Sequence, residues 1–420
     1  MRVLTISNLF PPHNVGGAEL SAFNTCLGLL ERGIEVSALM VHAGLGRRAN
    51  RLHRVQGVSV RERAFMPLPL GPYLEVFDPR VYRAVVAELR RVQPDVVHVH
   101  NVCGASLAPF VACRRQGVPV VLTLHDQWLL CPNNMLYRAN GEFCDPAQAP
   151  EGCDQCFRRF AFWANVPNRR RALSRLVANV DLFVSPSQAT VDRHVAAGYD
   201  RRRFRVIRYG IHPRAVQPLS DPSLRGYVRQ SAYTPTLLFA GALVEPKGIA
   251  TIVEAVPLLR NYLQAQFLIA GSGDGISVSA LRSLDPRVVK LLGRVPFQEM
   301  RHLYACADLT VVPSTHHDNS PMVIYESLLS GTPVLGSDMG GIPELVREGE
   351  TGYLFPVGDA GALAEKVILH FARAPLQRRR LRQRAFEYAH GHLTMDGHVE
   401  ALLGVYAEVL AQSQEDGRRR

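Results

Sequence analysis

Short apolar runs that each follow a helical pattern leave a chain few folds to choose from, and this one carries two series of them. In the first, "MRVLTIS" leads through a Gly-containing loop to "AELSAFNTCLGLLERG", where Gly33 ends the helix, and "IEVSALMV" follows as a strand. "VYRAVVAELRRVQP" and "DVVHVHN", then "PVVLTLHD" and "DLFVSPS", continue the rhythm. Continuous apolar strands predict a parallel sheet covered by helices on both faces. After "FRVIRYGIHP" the rhythm restarts with "TLLFAG", "AQFLIAGSGD", "VVKLLGRV", "LTVVPS" and "TPVLGSD". Residues 213–235, rich in Pro, Ser and Arg, separate the series, and 420 residues exceed one comfortable core. The reading is α/β, with two doubly wound Rossmann-like domains facing each other across an interdomain cleft.

Residues 128–175 interrupt the first series and read as an insertion or flap. They hold Cys131, Cys144, Cys153 and Cys156, the last two as "CDQC". The close pair suits one edge of a zinc tetrahedron, while the other spacings are loose. The group is either a structural zinc site or a set of unpaired thiols.

The net charge of +11 comes almost entirely from arginine, since the lysines are Lys247, Lys290 and Lys366. Such a charge suits an anionic partner. Basic clusters at residues 46–54, 168–175 and 200–208 are either solvated faces or contacts to an anionic membrane or lipid-diphosphate acceptor. Aromatic residues within them are sparse, which disfavours nucleic acid. The first residues lack a secretory pattern and no window has 18 apolar residues, so the expectation is a cytoplasmic enzyme, with peripheral contact to the inner membrane face left open.

In doubly wound sheets the loops after strands bind ligands. In "PPHNVGGAEL", Gly16 and Gly17 either form a tight turn or bring amides to a phosphate. His125 closes the strand of "TLHDQW", and Lys247 follows the strand ending at Gly241. In "HHDNSPMVIYESLLSGTPVLGSD", Ser320 is the expected N-cap and Pro321 the expected first helical residue, with Gly331 as the stop. The free amides of Met322 and Val323 would form an anion site. Asp318, near Asn319, and Glu326 on the same helix would accept hydrogen bonds from hydroxyls. Phosphate at the amides with hydroxyls at both carboxylates describes a nucleotide-sugar.

At this point the sequence resembles the retaining glycosyltransferases of family 4, which have the two-domain GT-B architecture. The resemblance spans nearly the whole chain and is strongest over residues 236–358. It rests on "PPHNVGGAEL", "TLHD", "LLFAGALVEPKG", "IAGSGD", "LLGRV", "LYACADLTVVPS", "DNSPMVIYESLLSGTPVLGSDMGGIPELV" and "GETGYLFPVGD" in that order. It implies sugar transfer from a UDP- or GDP-sugar, with retention and without a catalytic metal or other cofactor. The acceptor would be a carbohydrate, a lipid-linked sugar or a small molecule in bacterial polysaccharide, glycolipid or glycosylated-metabolite synthesis.

The resemblance places Gly16 and Gly17 at the donor phosphates or reacting sugar, His125 beside the transferred sugar and Lys247 at the leaving diphosphate. Asp318 would bind sugar hydroxyls and Glu326 the ribose. Aspartate at 318 replaces the family's usual glutamate, and Ala242 stands where many relatives carry arginine. The implied domains are an acceptor domain over 1–208, a donor domain over 209–394 and a helix over 395–420 that crosses back. Two rivals remain: a nucleotide-sugar epimerase of the same architecture, and a non-catalytic basic binding protein.

Overall fold

The computed structural model describes residues 1–11, 13, 16–43, 50–66, 76–101, 106–131, 133–138, 143–144, 166–211 and 234–418. Most of the inter-series break, and Cys153 and Cys156 within the insertion, lie outside the described residues. The chain forms two units, Met1–Gly210 with Met395–Arg420, and Ile211–Thr394.

Unit 1 is built on strands β1 (Arg2–Ser7), β2 (Glu35–Ala43), β3 (Leu52–Val55), β4 (Val58–Phe65), β5 (Val96–Val99), β6 (Val120–Thr123), β7 (Leu182–Ser185) and β8 (Phe204–Val206). Their order is β3-β4-β2-β1-β5-β6-β7-β8, and the winding reverses at β1. All neighbours pair in parallel except β3 and β4, an antiparallel hairpin that the sequence reading did not include. Gln56 and Gly57 make its tight turn with φ of 46° and 92°. The hairpin strands alternate in exposure, which is why no continuous apolar run marks them.

Side chains alternate between two cores along each inner strand. Leu4, Ile6, Val97, Val99, Val120 and Leu122 face one core. Helices α2 (Pro79–Val92), α3 (Ala108–Gln116), α4 (Val166–Val177) and α5 (Gln188–Ala196) cover it, with α2 capped by Asp78, whose carboxylate accepts the Arg80 amide at 2.8 Å. Val3, Val96 and Val121 face the other, covered by α1 (Gly17–Glu31) and the C-terminal helix Met395–Arg418. That last helix contributes Val399, Leu402, Val405, Tyr406 and Val409, so the end of the chain completes the core in which it began. The Tyr406 hydroxyl bonds His98 Nδ1 at 2.6 Å beneath the sheet.

Unit 2 carries β9 (Thr236–Ala240), β10 (Gln266–Ala270), β11 (Val289–Gly293), β12 (Leu309–Val312), β13 (Val334–Ser337) and β14 (Gly352–Phe355), all parallel. Their order, β11-β10-β9-β12-β13-β14, is that of a dinucleotide-binding fold, with the reversal between β9 and β12. The helices are α6 (Ile249–Arg260), α7 (Gly275–Arg282), α8 (Phe297–Cys306), α9 (Met322–Leu329), α10 (Ile342–Leu345), α11 (Ala360–Ala372) and α12 (Pro375–His392). Among the described residues, no helix is long and apolar enough to cross a membrane.

Leu402 is fully buried, whereas Glu400 on the same helix is exposed. Leu402→Ala should cost unit 1 about 2–5 kcal/mol, and Glu400→Ala should stay within about 0.5 kcal/mol, both read from urea unfolding.

Candidate active site

The reversal of strand order in unit 2 brings two loops together. After β9 the chain passes Gly241 and makes a single 3-10 turn, Glu245–Lys247. Gly248 ends that turn at φ 74°, and a Cβ there would lie 1.8 Å from the Pro313 carbonyl oxygen. Only glycine lets the turn lie so close to the loop after β12. The Pro246 carbonyl then accepts the Thr315 amide at 2.9 Å. On the other side Gly340 packs against the backbone of Asp318, where a Cβ would lie 2.4 Å from the Asp318 carbonyl oxygen. The Gly341 amide donates to that same oxygen.

Held this way, Lys247 Nζ donates to Asp318 Oδ2 at 2.5 Å, and Ser314 Oγ donates to it at 3.1 Å. Both donors use one oxygen, so Oδ1 has no hydrogen bond among the described residues. Burial opposes the Asp318 charge, yet Lys247, His316 and Ser314 outweigh it and hold the carboxyl below its ordinary range.

Glu326 has the opposite fate. It is buried on α9, and the Tyr304 hydroxyl of α8 donates to Oε2 at 2.7 Å. Burial pushes its carboxyl up to about 7 against the smaller pull of that bond. Helix α9 begins at Met322, one residue later than the sequence suggested. Pro321 is its N-cap with ψ 120°, and Ser320 does not cap the helix but shares a 2.7 Å hydrogen bond with the Tyr325 hydroxyl. The difference has a local cause: the Ser320 hydroxyl is committed to Tyr325, and Pro321 itself has an extended rather than helical ψ. Met322 and Val323 are therefore the first two helical residues, whose amides have no partner within the helix.

The carboxyl edge of β1, β5 and β6 gathers a second polar group in unit 1. At the start of α1 the Gly16 amide donates to Glu19 Oε2 at 2.9 Å, and Asn101 Nδ2 donates to Glu19 Oε1 at 3.2 Å. The Gly16 amide is thus already engaged by a carboxylate in a capping arrangement, with Gly17 as the first residue of the helix. His125 is half-buried between the Tyr209 hydroxyl, 2.6 Å from Nδ1, and His100 Nδ1, 3.1 Å from Nε2. Burial drives its pKa down to about 3, with His398 adding to the effect, so the ring is neutral near pH 7. A neutral ring positions hydroxyls; it supplies no positive charge to a leaving group.

Cys131 and Cys144 share a small buried cluster with Leu130 and Leu136. The Cys131 thiol donates to Asn133 Oδ1 at 2.6 Å, and burial raises its pKa. Cys153 and Cys156, the other two members of the expected tetrad, lie outside the described residues. Among the described residues no group of three or more His, Cys, Asp or Glu is placed to hold a metal.

The sequence reading had singled out Lys247, Asp318, Glu326 and His125 but not Ser314, His316 and Tyr304, nor Glu19, Asn101 and Tyr209. Ser314 and His316 follow β12 directly, which was a usable signal. Tyr304 carried none, because 22 residues separate it from Glu326.

Two family models match the chain, "Glycosyltransferase Family 4" over residues 15–215 and "Glycosyl transferases group 1" over residues 234–372. The chain belongs to glycosyltransferase family 4 and has the GT-B fold. The protein is therefore a transferase of the glycosyltransferase class. It is 29% identical to D-inositol 3-phosphate glycosyltransferase 1 of Catenulispora acidiphila over 448 aligned positions, covering 100% of this chain and 97% of the relative. An uncharacterised 42.6 kDa protein of the Klebsiella pneumoniae cps region is 24% identical, over 83% of this chain and 88% of its own. Among solved structures, the fold matches sucrose-phosphate synthase of Thermosynechococcus elongatus at 18% identity and TM-score 0.75, over 98% and 99% of the two chains. It also matches Anabaena HepE in complex with UDP at 19% identity and TM-score 0.70, over 97% and 100%.

The raised pKa of Glu326 has a direct consequence for this glycosyltransferase. The group favours the fold fully below its unfolded value of 4.5, and that contribution is lost as pH rises through about 7. Glu326→Gln, which keeps an acceptor for Tyr304 without a charge, should therefore gain stability over the wild type as pH rises from about 5 to about 8. Urea unfolding across that range measures it.

Proposed function

We propose that the protein transfers a glycosyl group, a hexose or a related sugar, from a nucleoside-diphosphate-sugar to a hydroxyl acceptor with retention of configuration and without a catalytic metal. The observation that carries this is the Lys247–Asp318 pair at the strand-order reversal of unit 2, beside the open end of α9. A diphosphate needs a cation and backbone donors, which Lys247 and the amides of Met322 and Val323 supply. The free Oδ1 of Asp318 is suited to a sugar hydroxyl, with Gly241, Asn319, Ser320 and Pro321 shaping the same loops. Glu326 would accept from ribose hydroxyls. As the glycosidic bond breaks, charge grows on the diphosphate, and fixed donors there lower the barrier. His125, held neutral, positions a hydroxyl of the reacting sugar, near Gly16 and Gly17.

A UDP- or GDP-sugar is the donor we favour, in keeping with HepE structures that contain UDP and UDP-glucose. Relatives named D-inositol 3-phosphate glycosyltransferase and phosphatidyl-myo-inositol mannosyltransferase support a hydroxyl-rich acceptor, either free or lipid-linked. Synthesis of a bacterial polysaccharide, glycolipid or glycosylated metabolite fits both. Action at the inner membrane face would follow only for a lipid-linked acceptor.

Thermal unfolding with UDP, GDP, ADP and dTDP tests the donor site. A nucleotide at a hundredfold its Kd should stabilise the fold by about 2.7 kcal/mol, and Glu326→Ala should abolish most of that gain. Stabilisation by none of the four would refute the reading.

A further inference from the structure

His316 enters the site so far only through its effect on Asp318, yet it touches both loops that form the site. Its ring is buried, and Nδ1 lies 2.9 Å from the Pro246 carbonyl oxygen, in the turn that carries Lys247. A carbonyl only accepts, so Nδ1 bears the hydrogen and Nε2 of the neutral ring presents a lone pair. Nε2 lies 4.0 Å from Asp318 Oδ2, the oxygen already shared by Lys247 and Ser314. The imidazole therefore stands between the cation's turn and the anion itself.

The Lys247–Asp318 pair sets a problem for any diphosphate. The ligand's negative charge competes for the Lys247 ammonium. If Lys247 turned away, Asp318 would keep a largely buried charge with Ser314 as its remaining hydrogen-bond donor. An uncompensated buried charge is strongly disfavoured, so something must replace the lysine.

We propose that His316 is a positioning residue for the diphosphate, holding the Lys247 turn through Pro246 and taking a proton on Nε2 to become the counter-ion of Asp318 when the diphosphate draws Lys247 away. The proposal rests on the donor-site reading above. The proton comes from solvent and returns to it when the diphosphate leaves. A side-chain shift of about an ångström would turn the 4.0 Å approach into a charge-assisted hydrogen bond. The groups acting on the ring pull in opposite directions. Burial holds its pKa down, Asp318 raises it, Lys247 lowers it, and the Pro246 hydrogen bond raises it. Moving Lys247 off removes a lowering influence and leaves the carboxylate in place.

Calorimetric titration of the full chain near pH 7, in two buffers of different ionisation enthalpy, counts the protons exchanged on binding. UDP, GDP, ADP and dTDP are the probes. The nucleotide and Glu326 also exchange protons, so the readout is the difference between wild type and His316→Asn. Asparagine keeps an N–H for the Pro246 carbonyl but does not titrate, and His316→Gln replaces it if the asparagine chain fails to fold. The wild type should take up more protons than the variant, and the variant, which leaves Asp318 without its replacement counter-ion, should bind more weakly. His316→Ala, which also loses the Pro246 bond, should bind roughly tenfold more weakly. Equal proton counts in wild type and His316→Asn would overturn the proposal and leave the donor site standing. Failure of the wild type to bind any of the four nucleotides would overturn the donor site, and the proposal with it.

Discussion

A parallel sheet buries both faces, and in this protein that requirement shapes everything else. In unit 1 one face is closed by α2 to α5, and the other by α1 with a helix from the far end of the chain. Helices on both sides mean that the winding must reverse somewhere, and it does so at β1 in one unit and at β9 in the other. Loops on either side of such a reversal part from each other and leave a crevice at the carboxyl edge. Glu19, Asn101 and His125 stand at that edge in unit 1; Lys247, His316 and Asp318 stand at it in unit 2.

Burial then sets the charges at those edges more firmly than composition does. Asp318 and Glu326 are carboxylates on neighbouring stretches of chain, the first half-buried and the second buried. Asp318 has an ammonium at 2.5 Å and stays ionised, while Glu326 has only a phenol and is pushed toward the neutral form. The imidazoles of His98, His100 and His398 are buried and that of His125 is half-buried, and removal from water holds all four neutral. The excess of +11 is spread over arginines elsewhere in the chain, and Lys247 is the cation that meets Asp318.

Much of this was legible in the residue order. His125, Lys247 and Asp318 lie in the loops that follow apolar runs, and a strand-end loop in a doubly wound sheet is where chemistry is expected. Pro321 shows how far such reading reaches. Proline favours the first helical position in general, but here Pro321 is the N-cap with ψ 120° and the helix starts one residue later. The β3–β4 hairpin escaped because its strands alternate half-exposed with exposed or buried positions instead of forming an apolar run.

Hydrophobic periodicity and strand-end loops are local properties, and they were enough to specify two βα series, their class and the segments that hold functional groups. Partnership is not local. That Lys247 meets Asp318, 71 residues away, that Tyr304 meets Glu326, and that Tyr406 reaches His98 across 308 residues, depends on strand order and helix packing. A side chain's charge follows from its partners and its burial, so the protonation of Glu326 and His125 was decided only when the chain folded.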